Sequence, residues 1–380
     1  MKFGPVAVAG LVVASLAAAA PRADVRPAPD APPHVRHVFI IILENQAFET
    51  TFGAGTRAPF LGRTLVARGA LLRNYFGIGH MSLDNYVALI SGQAPNKATQ
   101  LDCPEYLPFQ LTRPTLDANG LALGSGCVYP AFVKMIGDQM EAAGLSWRGY
   151  MEDLGNDPMR DGTCGHPTVG KRDPTDTEKR EAQDQYAMWH NPFVFFQSLI
   201  ADSARCAAHV VALSRLTADL ATSARTPNYV FITPNLCNDA HDVPCADGSE
   251  SGLAAADRFL YHWVPIITQS PAFKADGVLI ITFDESASGT APDTSMACCG
   301  ERGMPGASLP PGGSGPGGGR VGAVLLSPFI KPGTVSTAPY NHYALLRSVE
   351  DMFGLAHLGY AGAEGLRPFG ADVFTGFPAR

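Results

Sequence analysis

The stretch His37-Val-Phe-Ile-Ile-Ile-Leu-Glu-Asn45 decides the fold of this 380-residue chain, because a continuous apolar run ends abruptly in an acid and an amide. Two later stretches repeat the pattern, Asn228-Tyr-Val-Phe-Ile-Thr-Pro-Asn235 and Gly277-Val-Leu-Ile-Ile-Thr-Phe-Asp-Glu285. Continuous runs rich in Ile, Val and Phe are typical of strands covered on both faces, as in a parallel sheet flanked by helices. The pattern predicts an α/β fold.

The polar residues that follow these runs are expected to lie close together. In an open α/β sheet, ligands bind just beyond the carboxyl ends of the strands, where residues distant in sequence converge. Several hard oxygen ligands around one crevice suit a divalent cation, and a cation suits phosphate chemistry. The residues expected to rim this crevice are Glu44, Asn45, Asn235, Asp284 and Glu285.

Adjacent polar residues at a strand end can share one site only under a geometric condition. Two neighbouring strand residues point to opposite faces, so Glu44 with Asn45, and Asp284 with Glu285, reach one site only if the chain bends there. The alternative interpretation is that each pair simply starts a turn.

Composition narrows the function classes. Charged residues make up 17% of the chain and the net charge is -7, which leaves no broad basic face and predicts no nucleic-acid partner. The 40 glycines and 31 prolines indicate a loop-rich sheet protein rather than a helical bundle.

The N-terminus has the features of an export signal. A basic residue, an apolar core and a small-residue end predict a signal peptide over residues 1–20, followed by an extended spacer over 21–35. No later apolar run approaches the ~20 residues that a membrane-spanning helix needs. We therefore expect an exported mature chain, periplasmic or secreted, with no transmembrane segment.

Export gives the eight cysteines a role, since an even number in an oxidising compartment favours disulfides. A zinc cluster is the rival interpretation, but the spacings are irregular and no Cys-x-x-Cys pair occurs. Cys103 with Cys127, and Cys237 with Cys245, are the local pairs expected first. The sequence alone does not predict the partners of the other four cysteines, Cys164, Cys206, Cys298 and Cys299.

Alternating strands and helices predict one α/β domain over residues 36–380. Strands are predicted at 37–43, 70–75, 146–151, 228–233, 277–283 and 321–327, and helices at 58–68, 82–90, 131–143, 192–200, 205–222, 253–269 and 342–353. Loop insertions are predicted near 93–129, 152–190 and 286–320. The charged run over 171–180 is interpreted as solvated.

Ser82 stands where a Gly-containing loop becomes a helix. Alone, it would most simply be an N-cap. The functional interpretation is that a helix N-terminus offers N–H groups to an anion, with the amide of Asn85 in the same first turn. A serine nucleophile there needs activation, which a divalent cation supplies by stabilising the alkoxide.

Two histidine-bearing segments complete the candidates. The segment from Asn235 to Asp242 contains Asp239 and His241, and the alternative interpretation is a polar loop held by its cysteines. His342 stands at a helix start, where a structural histidine is the alternative. Histidines near a phosphoryl site bind the anion, ligate a metal or protonate the leaving oxygen.

Five regions of the chain, in order, resemble the phosphoesterase family of bacterial phospholipases C and acid phosphatases. The resemblance covers nearly all of the predicted mature chain. The matching segments are Ile42-Leu-Glu-Asn45, Gly79-His-Met-Ser-Leu-Asp-Asn-Tyr86 with Ser91-Gly92, Pro234-Asn-Leu-Cys-Asn-Asp-Ala-His-Asp242, Ile281-Thr-Phe-Asp-Glu285 and Tyr340-Asn-His-Tyr-Ala-Leu-Leu-Arg-Ser-Val-Glu-Asp351.

The resemblance implies an alkaline-phosphatase-like sandwich with a mostly parallel central sheet and helices on both faces. It implies a metal held by Glu44, Asn45, Asp284 and Glu285 together with the nucleophile Ser82. The positions that match the family's phosphate pocket are His80, Asn85, Asn235, Asp239, His241 and His342. The chain departs from the family at Asp84, where proline is common, and a carboxylate there is expected to repel a doubly charged phosphate.

The expected function is metal-dependent hydrolysis of phosphate monoesters through a phosphoserine on Ser82, with His241 or His342 assisting the leaving group. The alternatives are a phospholipase C or another phosphodiesterase and, in a different class, a non-catalytic secreted binding protein. The expected partner is a small phosphorylated substrate or a phospholipid headgroup.

The metal is expected to be calcium, magnesium or zinc. Oxygen ligands favour calcium or magnesium, while Asp239, His241 and His342 could hold a second, softer ion such as zinc.

Overall fold

The structure is a computed structural model that describes residues 1, 4, 34–175, 181–287 and 295–375. Apart from residues 1 and 4, the predicted signal peptide lies outside the described residues, as does nearly all of the predicted spacer. Both segments therefore stay predictions. Among the described residues, no helix is long and apolar enough to cross a membrane.

Strands and helices alternate along most of the chain. The strands are β1 (His37–Leu43), β2 (Ala70–Phe76), β3 (Gln110–Leu111), β4 (Gly124–Ser125), β5 (Trp147–Met151), β6 (Val210–Ala212), β7 (Tyr229–Thr233), β8 (Gly277–Phe283), β9 (Ala323–Leu326) and β10 (Thr334–Asn341). The α-helices are α1 (Phe48–Phe52), α2 (Val66–Arg68), α3 (Ser82–Ser91), α4 (Ile136–Ala142), α5 (Gln197–Ile200), α6 (Ser203–His209), α7 (Leu216–Asp219), α8 (Leu253–Gln269), α9 (Pro271–Asp276) and α10 (His342–Phe353).

One eight-stranded sheet organises the chain, in the order β10-β2-β9-β8-β1-β7-β5-β6. Strand β1 pairs in parallel with both β7 and β8, and β9 runs antiparallel to its two neighbours. Every residue of β1, β7 and β8 is buried, so both faces of the sheet centre are covered. The predicted α/β fold with a mostly parallel sheet is confirmed.

The register of the central strands positions the site. Ile41 of β1 is level with Ile232 of β7 on one side and with Ile281 of β8 on the other. The three apolar runs therefore end at the same edge of the sheet, and the polar residues after β1 and β8 start level with each other. The three quoted runs are therefore adjacent strands of one sheet.

Two edge strands were not predicted from the sequence. Strand β6 interrupts the helix expected over 205–222, because α6 ends at His209 and the next residues pair with β5. Strand β10 pairs with β2 and contains Pro339, which an edge strand tolerates because one side of its backbone needs no partner. Helix α4 begins at Ile136, later than the predicted start at 131.

The eight cysteines form four disulfides. The two expected pairs, Cys103–Cys127 and Cys237–Cys245, are both present. The remaining cysteines form Cys164–Cys206 and the vicinal pair Cys298–Cys299. The first pair closes the loop over 93–129, which also contains the short β3–β4 hairpin. The described part of the charged run over 171–180 is mostly exposed, in line with its predicted solvation.

Candidate active site

Ser82 is the first residue of helix α3, and its hydroxyl faces the end of β1. Its Oγ donates a hydrogen bond to Glu44 Oε2 at 2.9 Å, and Tyr86 OH donates to Glu44 Oε1 at 2.5 Å. Ser82 lies within the helix rather than at its N-cap position, so it is not a cap. The Leu83 N–H, one of the groups expected to face an anion, donates to Asp102 Oδ1 at 2.9 Å. The serine is held against a strand-end carboxylate.

The strand-end acids Glu44 and Asp284 lie side by side because β1 and β8 are adjacent and in register. The Asp284 N–H donates to Leu43 O at 2.9 Å and continues the ladder beyond the strand. Asn45 has a left-handed backbone with φ of 53°, and its N–H donates to Asp284 Oδ1 at 3.1 Å. The bend that the sequence required at the end of β1 is present at Asn45, a residue type that tolerates this conformation.

A histidine outside every quoted motif completes this cluster. His190 lies between two carboxylates, with Nε2 at 3.4 Å from Glu44 Oε1 and Nδ1 at 3.2 Å from Asp239 Oδ2. Its ring stacks on Tyr86, with the ring centroids 5.1 Å apart. Glu44, His190 and Asp239 are all buried, and one ligand atom of each lies within 4.8 Å of the others.

Three buried acids, Glu44, Asp239 and Asp284, lie in this cluster, and His190 is the basic side chain beside two of them. Burial, with the nearby Asp284 and Asp239, raises the pKa of Glu44 well above its usual value, and burial likewise raises that of Asp239. Burial also raises the pKa of Asp284 to about 6. Within the described part of the chain, no Lys or Arg forms an ion pair with these three acids.

Unpaired ligand atoms make the cluster suitable for a divalent cation. Buried polar atoms ordinarily have hydrogen-bond partners, and leaving them without one is costly. The oxygen ligands suit calcium or magnesium, and the single imidazole also suits zinc. The buried atoms without a hydrogen-bond partner here are Asn45 Oδ1, Asp239 Oδ2, Asp284 Oδ2 and both ring nitrogens of His190.

Glu285 points into a neighbouring group rather than toward Glu44. Its Oε2 accepts from Asn85 Nδ2 at 3.1 Å, and its Oε1 is 3.8 Å from His80 Nδ1. Asn85 Oδ1 accepts from Ile78 N at 2.7 Å and Gly79 N at 3.0 Å. Asn85 therefore fixes the loop before α3 and joins it to Glu285.

His342 lies behind Asp284 and uses both ring nitrogens there. Its Nε2 is 2.5 Å from Asp284 O, and its Nδ1 is 2.9 Å from Tyr75 OH. Because a carbonyl can only accept, Nε2 carries the proton and Nδ1 accepts from the tyrosine. Burial lowers the pKa of His342 to about 4. This geometry suits a residue that positions Asp284, not a proton donor to a leaving group.

His241 is the histidine that faces solvent. Its Nδ1 is 2.8 Å from Asp242 Oδ1, and its side chain is 26% exposed. A carboxylate on Nδ1 orients the ring and leaves Nε2 available for proton transfer, as in acid–histidine pairs of hydrolases. The expected softer-metal group of Asp239, His241 and His342 is not assembled, because the imidazole beside Asp239 belongs to His190.

Asn235 faces a fourth strand end that the sequence did not single out. Its N–H donates to Glu152 Oε2 at 2.9 Å, and its Nδ2 donates to Asp153 Oδ2 at 2.8 Å. Asn238 Nδ2 donates to both Glu152 oxygens at 3.1 Å. Asn235 thus anchors the loop that carries His241, instead of lining the cluster around Ser82.

Asp84, the departure from the family pattern, points away from the cluster. Its Oδ1 accepts from Thr99 Oγ1 at 2.5 Å. A Cβ on Gly79 would lie 2.8 Å from Asp84 Oδ2, so only glycine fits over this carboxyl group. Burial raises the pKa of Asp84 well above its usual value. The repulsion expected between Asp84 and a phosphate stays a prediction.

Sequence reasoning missed His190 because it ends the insertion predicted over 152–190. Residues 184–190 are buried except for Trp189, which is partly exposed. The signal was the aromatic run Tyr186-Ala-Met-Trp-His-Asn-Pro-Phe-Val-Phe-Phe196, which is too apolar for a solvated loop. Asp102 and Glu152 gave no comparable signal.

A serine and clustered carboxylates lie together at the carboxyl edge of a mostly parallel sheet. The chain belongs to the Phosphoesterase family, whose model matches residues 56–356. The resemblance drawn from the sequence motifs is confirmed.

Curated relatives carry phosphatase names. The chain is 25% identical over 295 residues to the phosphate-repressible acid phosphatase of Penicillium chrysogenum, covering 78% of this chain and 54% of the fungal protein. It is 25% identical over 369 residues to the phosphatidylinositol-3-phosphatase of Mycobacterium tuberculosis, covering 94% of this chain and 91% of the mycobacterial protein. The chain spans about half the length of the fungal acid phosphatases it matches.

Solved structures with a similar architecture include a protein of the alkaline phosphatase superfamily from Vibrio parahaemolyticus. Its TM-score is 0.46 and its sequence identity 13%, over 93% of this chain and 77% of that chain. The lipoteichoic acid synthase LtaP from Listeria monocytogenes gives a TM-score of 0.46 and 10% identity, over 90% of this chain and 78% of that chain.

Proposed function

We propose that this chain is a metal-dependent phosphoesterase that hydrolyses phosphate monoesters through a phosphoserine on Ser82. One observation carries the proposal: the Ser82 hydroxyl donates to Glu44 at 2.9 Å inside a buried acidic cluster in which Asp239 Oδ2 and Asp284 Oδ2 have no hydrogen-bond partner. The names of the acid phosphatase relatives support the reaction class. The four disulfides support export to an oxidising compartment.

The cation would be held at the edge of the sheet. Glu44, Asn45, Asp284 and the Ser82 hydroxyl supply oxygen ligands, and Asp239 with His190 lies within reach for the same ion or a second one. A bound divalent cation would supply Lewis acidity, which lowers the pKa of the serine hydroxyl and neutralises phosphoryl oxygens.

In the first half of the reaction, Ser82 Oγ attacks phosphorus in line. The Oγ–P bond forms and the ester P–O bond breaks. The serine proton passes to Glu44 Oε2, which already accepts the hydrogen bond of the Ser82 hydroxyl in the structure. The leaving oxygen takes a proton from His241 Nε2, whose ring Asp242 orients.

In the second half, water hydrolyses the phosphoserine. The water oxygen bonds to phosphorus, the P–Oγ bond breaks, and one water proton passes to His241. Glu44 returns its proton to Ser82 Oγ. The free enzyme is thereby restored, and the net change is one ester and one water converted to an alcohol and phosphate.

Trapping of the phosphoserine tests the proposal. Wild type incubated with ³²P-labelled aryl phosphate and quenched in acid is expected to carry label on Ser82, and Ser82→Ala is expected to lose label and about 1,000-fold of kcat. The matched control is Ser91→Ala, a buried serine at the other end of α3 whose Oγ bonds Val87 O.

Three results would contradict the proposal. Turnover by Ser82→Ala equal to that of wild type would show that Ser82 is not the nucleophile. Turnover of diesters but not monoesters would favour the phospholipase C alternative. No turnover of either ester by cation-loaded wild type would favour a non-catalytic binding protein.

A further inference from the structure

A cavity of about 250 Å³ is lined by Asp102 and His241, and we infer that it holds an aromatic leaving group that carries no negative charge. The inference rests on the proposed function, because it gives the substrate class of the same site. It concerns the part of the substrate beyond the phosphate, which no residue described so far recognises.

Two wall residues connect this leaving-group cavity to the nucleophile. Asp102 Oδ1 accepts from the N–H of Leu83, the residue directly after Ser82. His241, the proposed donor to the leaving oxygen, also lines the cavity. A group joined to phosphorus through an oxygen near His241 would therefore extend into this space.

The wall is aromatic and apolar on several sides. Leu101, Tyr106, Met188 and Trp189 line it, and Trp189 is the partly exposed ring among its aromatic residues. The hydroxyl of Tyr106 donates to a backbone carbonyl behind the wall, so the cavity meets its carbon surface. A planar ring gains burial and stacking against these side chains.

The charged residues of the cavity wall restrict the leaving group further. Among the described residues that line the cavity, none is Lys or Arg, while Asp102 and Asp173 are acids. Asp173 Oδ1 is fixed by Thr175, whose N–H and Oγ both donate to it at 2.8 Å. A leaving group with a second phosphate would face the carboxyl groups of Asp102 and Asp173. The cavity therefore fits a phenol, a benzyl alcohol or a nucleoside.

This fit separates the chain from one of its relatives. The headgroup of a phosphatidylinositol 3-phosphate is a polyhydroxyl ring with a second phosphate, and it lacks the aromatic surface that the cavity accommodates. We expect phosphatidylinositol 3-phosphate to be a poor substrate for this chain, although the mycobacterial relative is named for that lipid.

The test uses substrate pairs with matched leaving-group chemistry. Adenosine 5′-monophosphate and ribose 5-phosphate differ by the base, and benzyl and ethyl phosphate differ by the ring. Wild type is expected to show kcat/KM values about 10-fold higher for the aromatic member of each pair. Adenosine 3′,5′-bisphosphate is expected to fall about 10-fold below the 5′-monophosphate.

Variants assign the preference to the cavity. Trp189→Ala is expected to lower kcat/KM about 10-fold for the two aromatic substrates and less than about 2-fold for the others, with Trp189→Phe restoring most of the loss. Leu101→Ala removes an exposed side chain, so it keeps the test open if Trp189→Ala does not fold. The matched control is Trp263→Ala, a partly buried tryptophan of α8 that does not line the cavity.

Distinct results would overturn the inference and the proposed function. Equal loss on all four substrates would mean that Trp189 acts by packing against the His190 ring, 5.8 Å away between centroids. Equal kcat/KM within each pair for wild type would also overturn the inference while leaving the phosphoesterase intact. No turnover of any substrate by cation-loaded wild type would overturn the proposed function.

Discussion

The active site joins two regions built in different ways. The strand-borne region consists of Glu44, Asn45 and Asp284 with Ser82, which follow buried strands or begin a helix. The loop-borne region consists of His190, the segment from Asn235 to Cys245, and the cavity wall around Asp102. Two disulfides, Cys103–Cys127 and Cys237–Cys245, lie within or beside it.

The contrast assigns different tasks to the two regions. A sheet edge fixes closely spaced carboxylates that repel each other, because the strands behind them are buried on both faces. Loops carry the groups that face the variable part of a substrate, and here covalent and hydrogen-bonded links limit their motion. The strand-borne region suits the nucleophile and cation, and the loop-borne region suits proton transfer and specificity.

The largest effect is expected from removing a strand-borne charge. Glu44→Gln keeps the shape of the side chain but removes a ligand charge and the acceptor of the Ser82 proton. We expect a loss of about 1,000-fold in kcat together with loss of bound cation by elemental analysis. The control is Glu49→Gln, whose wild-type side chain is 69% exposed. Unchanged metal content and turnover in Glu44→Gln would contradict the assignment of nucleophile and cation to the strand-borne region.

A smaller effect, and one that depends on the substrate, is expected from the loop-borne histidine. His241→Ala is expected to lower kcat about 100-fold for benzyl phosphate but less than about 10-fold for 4-nitrophenyl phosphate, whose leaving group needs no proton. The measurement is kcat for both esters over a range of pH.

His342→Ala serves as the comparison for that variant. It leaves Tyr75 OH and Asp284 O without their buried partner, so we expect unfolding free energy to fall by about 1–3 kcal/mol and activity to fall equally on both esters. A leaving-group-dependent loss in His342→Ala would reverse the two assignments.

The smallest effect on activity is expected from a buried acid outside both regions. Glu350 of α10 accepts from Leu358 N at 2.9 Å, and burial raises its pKa to about 9. Its Oε2 has no hydrogen-bond partner. Because the folded state prefers the protonated form, wild-type stability is expected to fall as pH rises from the ordinary glutamate pKa toward about 9.

Glu350→Gln removes that dependence. Chemical denaturation at several pH values is expected to show a gain on the order of 1–3 kcal/mol at pH 7 and a flatter profile, with kcat unchanged. An identical slope in wild type and variant would contradict this account.

The central strands were predictable because each is a continuous apolar run, a pattern that burial on both faces enforces locally. Strands β6 and β10 were not, since β6 has three residues next to a helix and β10 contains Pro339. Pairing with a neighbouring strand, which the local sequence does not encode, made them strands.

The same division holds for the site. By itself, the sequence determined the α/β class, the family, the polar strand ends and Ser82 at a helix start, because these depend on local pattern. Tertiary structure decided which of those groups meet: it placed His342 behind Asp284, turned Glu285 toward Asn85, buried Asp84 under Gly79 and brought in His190. Side-chain direction at a bend and the approach of distant loops follow from packing of the whole chain, and no local stretch of sequence specifies them.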